Sequence, residues 1–102
     1  MKKLLALVLA LVFVLSAAPA FAATEIEFVF WMSEQQDEIF EMVDAYNNSQ
    51  SDVHVTANLI SSGYWDKMGV AVPAGEGTDV LCVNALHMVD YIKNGYLLDI
   101  SD

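Results

Sequence analysis

Residues 74–101 read AGEGTDVLCVNALHMVDYIKNGYLLDIS, and this stretch decides the fold. Gly75 and Gly77 supply a turn, and Val80-Leu81-Cys82-Val83 comes next as an unbroken apolar run. The run is too short for a helix and rich in β-branched residues, the pattern of a parallel-sheet strand buried on both faces. Asn84 is placed to cap a helix, Leu86, Val89 and Ile92 mark one apolar helical face, and Asn94-Gly95 closes it. A buried strand feeding a capped helix is half of a βαβ unit. Ligands of open α/β sheets sit beyond the carboxyl ends of such strands, which makes Asn84 to His87 a candidate site.

Upstream, the same unit appears twice more. Glu25 to Trp31 alternates, with Ile26, Phe28 and Phe30 on one face, and is expected as a strand. Ser33 and Gln36 have capping-box spacing, predicting a helix from about Glu34 to Asn47 that buries Ile39, Met42, Val43 and Tyr46. Val53 to Ile60 alternates again, with His54, Thr56 and Asn58 on its wetter face; His54 reads as a surface residue. Ser62 is placed to cap a helix from Tyr64, with Met68, Ala71 and Val72 inward and Pro73 and Gly75 ending it. The order β-α-β-α-β-α predicts an α/β fold with a parallel sheet, most simply arranged 2-1-3.

Before these units stands a leader. Met1-Lys2-Lys3, the apolar run Leu4 to Leu15 and Ala20-Phe21-Ala22 fit a secretory signal peptide cleaved after Ala22. The run is too short to span a membrane comfortably, and Pro19 with its small neighbours breaks any extension of it. Residues 1–22 are therefore expected to be removed on export, leaving 23–102. Leu15-Ser16-Ala17-Ala18 is similar to a lipobox with alanine where lipid attachment requires cysteine, so no lipid anchor is expected. Lys67 and Lys93 then face 14 carboxylates, 2 − 14, a net charge of −12. Nucleic acid and anionic membrane surfaces need clustered Lys or Arg and are expected to be poor partners.

The remaining chemistry is sparse. Cys82, the single cysteine, excludes an internal disulfide framework and reads as a buried, inert thiol. Glu34, Asp37, Glu38, Glu41 and Asp44 share a helix face without a histidine, which reads as a solvated acidic surface and not a metal site. No serine elbow, zincin motif, nucleotide-binding glycine motif or Cys/His pair with a plausible orienting group is present, so neither an enzyme nor a cofactor is expected.

Taken together, the aromatic residue after the first strand, Tyr64-Trp65-Asp66-Lys67, Ala74-Gly75, Thr78-Asp79-Val80 and Gly95-Tyr96-Leu97-Leu98-Asp99-Ile100-Ser101 carry a resemblance. Residues 25–102 resemble the opening of the first lobe of extracellular, periplasmic-type solute-binding proteins, more narrowly the sugar-binding kind that serves ABC importers. Thr78 stands where that family usually has proline. The resemblance implies part of a type II binding-protein lobe, a small-molecule ligand (a mono- or oligosaccharide), a membrane permease as partner, and continuation into a second lobe. It also implies a ligand site at the loops after the three strands. It does not fix the individual residues; the chemistry of sugars makes Trp31, Tyr64 and Trp65 the candidates for rings against C–H faces, and Ser33, Glu34, Asn84 and His87 the candidates for hydrogen bonds.

Each of those residues also has a structural role open to it: Ser33 and Asn84 as helix caps, Glu34 as a helix-dipole partner, Trp65 as a core residue. A 2-1-3 sheet further leaves Val80 to Val83 at an edge, where apolar strands invite pairing. A small exported interaction protein that pairs through this edge is the alternative reading.

Overall fold

The computed structural model describes Lys2, Lys3 and residues 21–101. The leader's apolar run, the lipobox-like stretch and Asp102 lie outside the described residues. Three strands, β1 (Thr24–Phe30), β2 (Val53–Leu59) and β3 (Val80–Leu81), form one parallel sheet in the order β2-β1-β3. The helices α1 (Gln36–Ser49), α2 (Tyr64–Ala71) and α3 (Ala85–Lys93) come after them in turn. The α/β class and the 2-1-3 order are those expected from the alternating patterns.

β1 is central because both its faces are apolar. Val29 is buried with Tyr64 and Met68 of α2, joined by Trp31, Ile60, Trp65, Val72 and Leu81. On the opposite face Phe30 is fully buried; Phe28 stacks on it and Phe40 of α1 meets it edge-on, both at 5.6 Å between ring centroids. β2 keeps Val53, Val55, Ala57 and Leu59 partly covered and His54, Thr56 and Asn58 exposed, as its alternation predicts. His54 is a surface residue, and its Nδ1 lies 2.8 Å from a carboxylate oxygen of Glu25, the residue paired with it across the strands.

Both sheet edges are closed partly by side chains. At the β2 edge the Asn47 carboxamide donates to the Val55 carbonyl (2.9 Å) and accepts from the Val55 N–H (2.8 Å). Gln50 does the same for Val53, at 2.7 and 2.8 Å. An edge whose backbone groups are already paired offers less of a template to another strand. On the other edge of β1, Asp79 accepts from the Glu27 N–H and the Thr78 hydroxyl donates to the Glu27 carbonyl, both at 2.9 Å. Side chains thus occupy the start of the β1–β3 ladder, and β3 contributes two residues before Cys82 N–H reaches the Val29 carbonyl at 3.1 Å.

Four sequence expectations are corrected. Val80 to Val83 is not buried on both faces: Val80 is 48% exposed, since β3 is an edge strand. The Ser33–Gln36 capping box does not form; a 3₁₀ turn (Ser33–Gln35) precedes α1, and neither start has a side-chain cap. Only Val43 of α1 is buried, while Met42 and Tyr46 are exposed. Ser62 does not cap α2, which begins after Gly63 in a left-handed conformation (φ 68°).

The orientation of α3 also differs, and this matters most for the site. Leu86, Val89 and Ile92 are 80%, 54% and 62% exposed, whereas Tyr91 is buried and His87 half-buried. The helix turns its aromatic side towards α2 because Trp65 offers rings to stack on. Its ends are as read from the sequence. Asn84 caps the start, and Gly95 (φ 70°) lets the Tyr96 N–H reach back to the Tyr91 carbonyl at the end.

Candidate functional site

The parallel sheet sends its three outgoing loops to one end, and their aromatic residues meet there. Trp31 stands just after β1, Tyr64 and Trp65 open α2 after β2, and His87 sits in the first turn of α3 after β3. Trp31 lies 5.0 Å from Tyr64 and 5.2 Å from Trp65, tilted by 60° and 51°. Tyr64 and Trp65 are edge-to-face at 5.0 Å. His87 lies flat on Trp65, with ring centroids 3.7 Å apart and planes 4° from parallel. Tyr91 closes the far side, edge-on to both Trp65 and His87.

At these distances the rings touch one another, so they make a packed platform and not an open cage. Trp31, Trp65 and His87 are half-buried and present its outer surface. Tyr64 is only 4% exposed and supports the others from behind. Its hydroxyl donates to the Cys82 carbonyl at 2.8 Å. Desolvation, with minor repulsion from Cys82 and Tyr91, pushes its pKa up to about 12.

Burial also pushes the Cys82 thiol up, the opposite of nucleophile activation, and the side chain is half-buried. Tyr91 is raised for the same reason, with a smaller contribution from Tyr96.

The polar candidates separate into two groups. Asn84 and His87 are joined: the Asn84 side-chain oxygen accepts from the His87 backbone N–H (3.1 Å) and lies 2.7 Å from its ring Nδ1. Ser33 and Glu34 are exposed in the 3₁₀ turn after Trp31, and Ser33 caps neither helix start. The structure therefore brings Trp31, Tyr64, Trp65, Asn84 and His87 into one constellation and leaves Ser33 and Glu34 on the adjoining surface.

Tyr91 belongs to the constellation and is not among the residues that the sequence pattern picks out. The signal for it is its position four residues after His87, on the same helical face.

Elsewhere, a groove of about 560 Å³ is lined by Ile92, Leu97 to Ile100 and Ser101, on the side of the chain beyond α3. The five carboxylates of the acidic stripe lie along the turn and helix after β1, with Glu34 in the turn and the other four in α1. Among the described residues no three His, Cys, Asp or Glu side chains are grouped to hold a metal ion, and no helix is long and apolar enough to cross a membrane.

No protein-family model matches this chain, and comparison with curated proteins and with solved structures found no match.

Proposed function

We propose that this chain forms one wall of the binding cleft of an exported, non-enzymatic solute-binding protein, which captures a mono- or oligosaccharide for an ABC importer. The observation that carries the reading is the meeting of Trp31, Trp65 and His87, from the segments that follow three different strands, at the carboxyl end of a parallel sheet. Half-buried indoles offer flat apolar surface for sugar C–H faces. Asn84 and His87 beside them, with Ser33 and Glu34 at the margin, offer the polar contacts that hydroxyl groups need.

In this reading the leader is cleaved after Ala22, the mature protein is released without a lipid anchor into the periplasm or extracellular space, and a second lobe closes over the ligand. Closure then presents the loaded form to a membrane permease, a binding-driven population shift.

Titration of the tryptophan fluorescence of the exported protein with a panel of mono- and oligosaccharides tests it. Saturable binding that weakens tenfold or more in Trp31→Ala supports the assignment. A folded protein that ignores every sugar, or binds one equally well without Trp31, overturns it.

A second reading has its own observation. Val80 lies at a sheet edge, and Leu86, Val89 and Ile92 form an uncovered apolar stripe. These features suit an exported interaction protein that joins a partner or a second copy. Concentration-dependent mass in sedimentation, abolished by charges placed on the stripe, favours it.

A further inference from the structure

The contact between Asn84 and His87 is more than a helix cap. One atom of the Asn84 side chain accepts from the His87 backbone N–H. A backbone N–H only donates, so that atom is the carboxamide oxygen. The same oxygen lies 2.7 Å from the His87 ring Nδ1. Two acceptors do not bond to each other, so Nδ1 carries a proton even when the imidazole is neutral. The other ring nitrogen, Nε2, then holds the lone pair.

Nε2 makes no hydrogen bond to any described residue, and among the described residues no buried side-chain nitrogen or oxygen lacks a partner. Among the described residues Nε2 is therefore neither bonded nor sealed from solvent. The stacking on Trp65 at 3.7 Å, with Tyr91 edge-on beside it, opposes the half-turn of the ring that would put Cδ2 in the place of Nδ1.

We infer that Asn84 and Trp65 together preset His87 as a hydrogen-bond acceptor, with Nε2 directed at hydroxyl or amide donors of a ligand lying on the platform. This deepens the binding-wall reading and rests on it for the ligand's place, while the state of the ring is a property of the chain alone. Such an acceptor takes a ligand that donates and discriminates against the same ligand with its hydroxyls methylated, since the lone pair is then left without a donor. Protonation reverses the preference: an imidazolium donates at both nitrogens. The other titratable groups in α2, α3 and the segment between β3 and α3 are Tyr64, Cys82, Tyr91, Asp66, Lys67, Asp90 and Lys93. The first three have pKa values raised by burial and stay neutral where histidines change charge.

The test is nitrogen NMR of the ¹⁵N-labelled chain, at about pH 8.5, above the usual histidine range. The expected spectrum has His87 as the Nδ1–H form, with Asn84→Asp retaining it and Asn84→Ala losing it. An Nε2–H form in the unaltered chain overturns the inference, whatever sugar binds, and this outcome does not depend on whether either variant folds. Maltose and fully O-methylated maltose are then added in turn. A shift of Nε2 with maltose and none with the methylated sugar supports both the acceptor and the saccharide reading. An Nδ1–H ring that responds to neither, with no sugar of the panel binding, sinks the saccharide reading and leaves the preset acceptor standing. Equal binding of both sugars, with Nε2 shifted by both, overturns the acceptor's role in selection.

Discussion

The hydroxyl of Tyr64 donates to the carbonyl of Cys82 at 2.8 Å, tying the first turn of α2 to the chain just past β3, before α3 begins. The bond lies directly behind the ring platform, since Tyr64 packs against Trp31 on one side and Trp65 on the other. Tyr64→Phe keeps the ring and removes the donor. The Cys82 carbonyl is then left without that partner in a part-buried setting, at a cost of about 1–2 kcal/mol. Urea denaturation measures it. A loss near zero would mean that water replaces the hydroxyl, and that the loop after β3 is held by ring packing alone.

The same residue sets a pH dependence. Its pKa is raised from 10.0 to about 12, mainly by desolvation, so the folded state favours the protonated phenol. A folded-state pKa above the unfolded one gives a stabilisation fully present below pH 10, lost as pH rises from there towards 12. The denaturation midpoint of the unaltered chain should fall over that window, and the fall should be smaller in Tyr64→Phe. Absorbance of the phenolate, followed alongside, should show one tyrosine titrating last. If both proteins lose stability in parallel, the loss belongs to other tyrosines.

How much of this is legible in the sequence depends on how local the cause is. Asn84 as a cap and Gly95 as the residue past a helix end are decided within four or five residues, and the structure has both. The strand order comes from alternation and the short connections, which leave few topologies open. The face of α3 is not legible. Leu86, Val89 and Ile92 are the more apolar stripe, but the competing stripe of His87 and Tyr91 meets an indole from another element. Hydropathy does not register that pairing. Asn47 and Gln50 read only as polar residues near a helix end, because their partners, Val55 and Val53, come into reach through the sheet. Of the platform, the three loops and Trp31, Tyr64, Trp65 and His87 are legible, whereas the stacking of His87 on Trp65 is not.

Asn47 makes the edge of β2 a testable device. Asn47→Ala removes both bonds to Val55 and uncovers its N–H and carbonyl, while leaving the helix backbone intact. Each partly buried bond is worth about 0.5–1.5 kcal/mol, so a loss of about 1–3 kcal/mol is expected by denaturation. The variant should also associate more readily, because the newly bare edge can pair with another chain. Asn47→Asp keeps an acceptor for the Val55 N–H and faces the carbonyl with a second acceptor, so it should recover only part of the loss. Unchanged stability in both variants would show that water serves the edge as well as the carboxamide does.

The orientation of α3 can be decided by a matched pair of substitutions. Tyr91 is 7% exposed and packs edge-on against Trp65, His87 and Tyr96. Tyr91→Ala should therefore cost about 3 kcal/mol, in the range of large-to-small changes at buried aromatic positions. Leu86 and Ile92 lie on the opposite side, 80% and 62% exposed. Leu86→Lys with Ile92→Lys should change the stability of the isolated chain by less than about 0.5 kcal/mol per site, as surface substitutions usually do. The two added charges should also lower any self-association, because they interrupt the apolar stripe that Val89 shares. Thermal unfolding and sedimentation velocity report the two quantities separately. Were the double lysine variant to unfold and Tyr91→Ala to stay stable, the helix would have to be turned by half a revolution. His87 would then leave the face of Trp65, and the platform would lose the residue that joins the third loop to the other two.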